Sequence, residues 1–570
     1  MIEVSAKSHP SLDGIVEGPS EYHQKITTEK PFNVPKPGRA TLAARGRVDM
    51  DDGFFNGRIE DVTIRALGAQ GHTQVLAQYD FSREMASDSI FDVSRNSRHG
   101  YLINAPTRAV RGHNWDGKEV DWTKATYGYG AIHFHEDDLD DAQWETDFEI
   151  KLPADLRSGA YAVEVESIGQ PHVRDDITFF VRPRPDSSAR IAVVLSTFTY
   201  LAYANERMFD QTIPSHLAVP GEIQILEDEN YKKMLRRRDL GHSLYDVHRD
   251  LSGTVFSSSK RPLLNVRPGY EHWAFRRPRE FSADLLMIGF LEQLSLPYDV
   301  CLDHDLHTDG IEAIARYSTL ITGSHPEYPT IETLDAYSEF QRRGGSLLYL
   351  GGNGFYWVAA VDPARPHRVE VRRGDQGVRT FALPGGEHHH SLTGAKGGLW
   401  RSRGRQANYL VGLGCCGEGI GPGVPYKRSA KSYNPEWAWA FSGIDPSLEL
   451  LGVNGFGGGA SGDEIDRFDA ANGSPAGGTV LATSIGHSDD FGLFPEDCQF
   501  PMVNTLGTQT DLVRSDIVAY YTSFGGLVFS VGSINWYCSL AWDSYNNEIA
   551  RLTENVIRKT LDVSDVTGSS

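Results

Sequence analysis

Basic charge is scarce in this chain of 570 residues. Its 55 Lys and Arg face 76 Asp and Glu, for a net charge of −21. So acidic a surface repels phosphates, which excludes nucleic acid as an expected partner. Long apolar runs are missing too. No stretch approaches the ~18 residues of a membrane-spanning helix, so no membrane partner is predicted. The opening MIEVSAKSHPSLDG has neither a basic nor an apolar signal region, so no secretory leader is predicted. Cysteine is rare: Cys301, Cys415, Cys416, Cys498 and Cys538, an odd number with two adjacent. That is neither a disulfide framework nor a zinc pattern. It predicts reduced thiols in a cytoplasmic protein. Walker A, GxSxG and HExxH motifs are absent, as is a GxGxxG between strand and helix. No cysteine sits in a Gly-x-Cys-x-Gly elbow, which argues against amidotransferase chemistry.

What is present is enough apolar residue (40%) for several cores, with 58 Gly and 10 Trp. The length predicts two or three domains. Residues 1–185 carry short runs between turn signals: Thr41–Val48, Ile59–Ala66, Thr73–Tyr79, Gly100–Leu102, Gly128–His133, Glu145–Leu152 and Ala160–Glu166. Regular short strands of this kind predict a β-sandwich. FNGRIEDVTI followed by YDFS resembles the concanavalin-like, laminin-G-like sandwich, for which a structural role is expected. HFHEDDLDD (His133–Asp141) lacks the spacing of a calcium loop and reads as a solvated acidic turn. The linker Arg182–Arg190 marks a boundary. From there strands alternate with helices, which predicts a parallel sheet. Residues 186–563 therefore read as one α/β domain of flavodoxin-like or Rossmann-like type, with long insertions at 205–280 and 358–480. Residues 564–570 read as a tail. His388-His389-His390 reads as an exposed loop rather than a metal site.

The organising unit is Tyr317–Trp357. The apolar run Ser318–Thr322 reads as a strand, Thr330–Arg342 as a helix ended by Gly344-Gly345, and Ser346–Leu350 as a second strand. His325, Glu327 and Asn353 then fall just past the carboxyl ends of neighbouring strands, where open α/β sheets hold ligands. Tyr200 and Tyr203 follow the strand Ile191–Leu195 on the same edge. As packing residues, Glu327 would cap the helix and Asn353 would fill a left-handed turn.

IAVVLSTFTYLAYAN, LITGSHPEYPT, YLGGNGFYWV, GGGASGDEIDR and VFSVGSINWYCSL, in that order, resemble the large (beta) subunit of N,N-dimethylformamidase. The resemblance runs from about Ile191 to Leu561. The N-terminal region is similar too, but shortened at its start. The resemblance implies an amidohydrolase that converts a small N-alkyl amide to a carboxylic acid and an amine. The α/β domain is expected to be flavodoxin-like and glutamine-amidotransferase-like. The resemblance also implies a mononuclear Fe(III) held by Tyr203, Tyr245 and Glu327, with Tyr200 as a rival for Tyr203. His325, Asn353 and Glu464 would serve catalysis, and Thr197 and Thr199 would line the substrate pocket. Three anionic oxygens suit a hard trivalent cation better than zinc. The alternative for Glu464 is a pair with Arg467. A homo-oligomer is expected, with the need for a small accessory subunit left open. The competing functions are an iron-dependent hydrolase of another small amide and a non-catalytic ligand- or carbohydrate-binding protein.

Overall fold

The computed structural model describes residues 2–7, 21–26, 41–46, 51–67, 72–207 and 229–566. At its centre is a nine-stranded sheet. Strand β1 (Ile191–Leu195) is buried at every residue, as a continuous apolar run requires when both faces of a sheet are covered. It pairs in parallel with β2 (Tyr298–Leu302) on one side and β3 (Thr319–Thr322) on the other. β3 pairs with β4 (Ser346–Tyr349), and β4 with Leu527–Ser530. Counted among themselves in chain order, the five parallel strands lie in the order 2-1-3-4-5, the fifth being Leu527–Ser530. Four antiparallel strands extend the sheet beyond them.

Two apolar clusters cover the two faces. Val193, Ile321 and Leu348 pack with helix α1 (Phe281–Gln293) and the final helix α2 (Glu548–Val566). Ala192, Val194, Leu320 and Leu347 pack with Leu306, Leu334 and Tyr337 from helices Asp303–Asp309 and Ile331–Arg342. Successive residues of β1 go to opposite clusters, as the two-residue period of a strand dictates.

The region 358–480 holds more regular structure than its glycine-rich sequence suggests. Ala359–Asp362 and Arg365–Val371 pair with each other. Strand β5 (Gly414–Val424) pairs antiparallel with β6 (Ser461–Arg467) and with Phe491–Leu493. Glycines and bulges hide the alternation that would have announced these strands. Towards the N-terminus the described residues form small antiparallel sheets, the largest of four strands (Thr63–Leu67, Thr73–Asp80, Ser89–Asp92, Gly100–Tyr101). Of Thr41–Val48 only Arg45–Gly46 is strand, and 47–48 lie outside the described residues. Glu145–Leu152, expected as a strand, is exposed chain without a ladder. Within the 205–280 insertion, residues 208–228 lie outside the described residues. Helix α2 continues to Val566, past the expected end of the domain, and 567–570 lie outside the described residues. All five cysteines are free. No helix among the described residues is long and apolar enough to cross a membrane.

Candidate metal and active site

β1 ends at Leu195 and the short helix Thr197–Ala202 follows, with Tyr203 at its C-cap. β3 leads into the loop carrying His325 and Glu327, which closes at Thr330, the N-cap of Ile331–Arg342; its side chain accepts from the Thr333 amide. This loop and Tyr203 flank the point where the strand order reverses, the ligand-binding crevice of open α/β sheets. Beyond β4, Gly351 lies so close to the same loop that a Cβ would sit 2.3 Å from the Ser324 carbonyl oxygen. At Gly352 a Cβ would sit 2.5 Å from the carbonyl oxygen of Glu464. These two glycines let Asn353 (φ 45°) and β6 reach the site. Tyr245 comes from the insertion, anchored where the Leu244 amide donates to the Ala202 carbonyl (2.8 Å).

The three oxygen-bearing side chains converge. The hydroxyls of Tyr203 and Tyr245 are 2.7 Å apart. Tyr203 donates to Glu327 Oε2 (2.9 Å) and Tyr245 to Glu327 Oε1 (3.2 Å). His325 Nε2 is 3.2 Å from Glu327 Oε2 and 2.7 Å from Glu464 Oε2, while its Nδ1 is 3.3 Å from Glu280 Oε1. The contact with Glu464 is a buried ion pair. The Asn353 side-chain amide reaches His325 Nε2 at 3.5 Å, its Oδ1 is unpartnered, and its backbone N–H donates to Asp466 Oδ1 (2.8 Å). Every one of these residues is buried.

The electrostatics describe a site with too many acids and too few cations. Burial, together with Glu327, pushes the phenols of Tyr203 and Tyr245 well above their ordinary value. Burial and the neighbouring Glu464 raise Glu327 to about 7 against the opposing pull of His325. Burial and Glu464 likewise raise Glu418 to about 8; it faces Glu464 across the β5–β6 ladder. For His325, burial alone would lower the imidazole, but Glu464 and Glu327 lift it to about 10. It is therefore protonated near neutrality.

The structure brings Tyr203, Tyr245, Glu327, His325, Asn353 and Glu464 together. Tyr200 instead donates to Asp284 Oδ2 (2.5 Å). Arg467 pairs with Asp469 and Asp497, not with Glu464. Thr330, not Glu327, caps the helix. Thr199 Oγ1 accepts the Glu327 amide (3.1 Å), which makes it a buttress for that loop, and the Thr197 hydroxyl pairs with His304 Nδ1 (2.8 Å). Several site residues have no distinctive local sequence. Tyr328 donates to the Tyr245 hydroxyl (2.5 Å) and receives a hydrogen bond from Arg373 Nη2 (2.5 Å). The Arg373 guanidinium lies over the Tyr245 ring (4.3 Å) and that of Arg279 over the Tyr203 ring (4.9 Å). Of these, only Tyr328, next to Glu327, had a positional cue.

The model of the family described as N,N-dimethylformamidase beta subunit-like, C-terminal, matches residues 107–549. The N,N-dimethylformamidase beta subunit of Paracoccus aminophilus is 38% identical over 524 residues, covering 88% of this chain and 68% of the relative. That of an Alcaligenes species is 38% identical over 491 residues, covering 85% of this chain and 64% of the relative. The chain thus spans roughly two thirds of the length of these relatives. A solved structure, a putative ThuA-like protein from Bacteroides uniformis, matches 49% of this chain and 86% of its own at 11% identity, with a TM-score of 0.25, too low to carry an argument. On the family match and the two relatives, this chain belongs to the N,N-dimethylformamidase beta subunit-like family.

Proposed function

We propose that this chain is an amidohydrolase that cleaves a small N-alkyl amide of the N,N-dimethylformamide type into a carboxylic acid such as formate and an amine such as dimethylamine. The observation that carries this reading is the convergence of the Tyr203, Tyr245 and Glu327 oxygens beside the His325–Glu464 ion pair. It is supported by the activity named for both relatives. The donor set fits a single ferric ion: two phenol oxygens and one carboxylate, all hard, in a buried site short of positive charge. Bound there, Fe(III) supplies Lewis acidity and favours the tyrosinate form of both phenols.

The protein's own groups do the rest. Glu464 accepts a proton from the attacking water and returns it to the departing amine nitrogen. Protonated His325 and the Asn353 amide, neighbours at 3.5 Å, serve in this reading as donors to the oxyanion that develops on the amide carbonyl. Arg279 and Arg373 fix the two tyrosine rings from behind. Of the site residues, Tyr245 lines a cavity of 1780 Å³.

The same reading takes the α/β half as flavodoxin-like, which the 2-1-3-4-5 strand order supports. It takes the N-terminal half as a concanavalin-like sandwich, in keeping with its small antiparallel sheets. The name beta subunit for both relatives supports assembly with a second kind of subunit. Free thiols suit a cytoplasmic setting.

The test is to purify the protein, record its visible spectrum beside elemental analysis, and assay release of formate and dimethylamine. A broad tyrosinate-to-iron band, about one iron per chain and hydrolysis of the formamide are expected. A colourless, iron-free protein inert towards small amides would overturn the proposal.

A further inference from the structure

A second group of metal-type side chains lies outside this site and shares no residue with it. The segment HFHEDDLDD is not a solvated acidic turn. His133 and His135 are buried, and they meet His242 and His248 of the insertion. The rings of His135 and His248 stack at 3.7 Å, nearly parallel.

The contacts fall into two length classes. His248 Nδ1 to Asp137 Oδ1 (2.6 Å), His242 Nε2 to Asp137 Oδ2 (2.8 Å) and His135 Nε2 to Ser252 Oγ (2.9 Å) are ordinary hydrogen bonds. The Ser252 hydroxyl proton is used on Asp250 Oδ1 (2.6 Å), so its oxygen is the acceptor for His135. These partners place the ring protons of His135 on Nε2 and of His248 on Nδ1. The remaining ring nitrogens are then lone pairs, and both face the carboxylate of Asp138. His135 Nδ1 is 3.3 Å from each Asp138 oxygen, and His248 Nε2 is 3.8 Å from Oδ1. These are poor hydrogen bonds; the His135 separations match the edge of a coordination tetrahedron, about 3.3–3.4 Å for metal bonds of about 2.05 Å, the His248 separation is wider, and the three ligand atoms all lie within 4.8 Å of one another. One proton could satisfy only one of the two nitrogens, whereas a cation satisfies both and the carboxylate together.

We propose that His135 Nδ1, His248 Nε2 and an Asp138 oxygen bind a divalent first-row transition-metal ion at a second site. Two imidazoles and one carboxylate select the zinc class over calcium or magnesium, which take oxygen ligands. Asp137 and Ser252 are the orienting partners that metal-bound histidines require. The three residues line the 1780 Å³ cavity, which leaves a further coordination position open to water. His135 and Asp138 follow the strand Ala131–Phe134 of the N-terminal half, while His248 lies three residues past Tyr245. The ion therefore ties the N-terminal half to the loop that delivers Tyr245 to the first site.

The test starts from chelator-stripped protein titrated with Zn²⁺ by calorimetry, with thermal melting in parallel. Wild type and Glu327→Gln, which disables the first site, are each expected to take up one zinc at this position and to melt at higher temperature with zinc present. The near-isosteric Asp138→Asn is expected to lose that equivalent, with affinity down ~100-fold or more, and to lose the melting response. Unchanged zinc affinity and melting in Asp138→Asn would overturn the proposal. Should that variant not fold, X-ray absorption at the zinc edge of loaded Glu327→Gln decides: two imidazole nitrogens per zinc are expected, and one or none overturns the assignment.

Discussion

Tyr200 and Tyr203 are three residues apart on one short helical turn, yet they face different partners. Tyr200 is held by Asp284 and Tyr203 by Glu327. Tyr203→Phe is therefore expected to abolish the visible band and the iron content, while Tyr200→Phe keeps both; absorbance and elemental analysis of the two variants check this. Glu464→Gln keeps the size and shape of the side chain beside His325 but removes its charge and with it the proposed base. It is expected to keep bound iron and KM while kcat falls ~10²–10⁴-fold, read from steady-state kinetics on a small formamide. If kcat holds, the proton acceptor is another group. At this scale the sequence was legible where a motif surrounds the residue: His325, Glu327, Asn353 and Glu464 all sit in distinctive strings. Arg373, Arg279 and Glu418 sit in none, because their role is to face a residue distant in the chain.

The loops that end β3 and β4 form one device, closed by glycines. At Gly351 a methyl group would meet backbone rather than a movable side chain. Gly351→Ala is expected to cost ~1–3 kcal/mol and to reduce activity further than stability, because the displaced loop carries His325 and Glu327. Denaturant midpoints beside kcat would separate the two effects. Apolar periodicity marked β1 to β4 and the helices that cover them, since each of these strands is a short, largely buried run. It did not mark β5 and β6, whose glycines and bulges carry no alternation. Glu464 was readable as a motif residue but not as a strand residue.

Across the whole molecule, the N-terminal region is fastened to the rest by ion pairs to buried carboxylates. Glu387 accepts from Arg58 Nη1 (2.7 Å), Arg58 Nη2 (3.1 Å) and the Arg111 amide (3.1 Å). Arg368 spans Asp88 and Asp140. Burial would raise the Glu387 carboxyl, but Arg58 and Arg111 hold it below its ordinary value. Its contribution is thus complete above the unfolded-state value near 4.5 and is lost as pH falls through the lower folded value. Glu387→Gln is expected to cost ~2–3 kcal/mol at neutral pH and to flatten the loss of stability between about pH 5 and 3. Melting curves across that range check it, and an unchanged acid slope would refute the assignment.

By itself, the sequence determined the parallel order of strands and helices from Ile191 onward, the sheet edge on which chemistry would fall, and the family, because these depend on local periodicity and contiguous motifs. Only the tertiary structure decided which tyrosine meets Glu327, which arginines hold the rings, and that four histidines from two distant segments share one buried cluster. Those outcomes depend on the approach of chain segments far apart in sequence, such as Tyr203 and Arg279 or His135 and His248, and the packing that drives it leaves no mark in a local window of sequence.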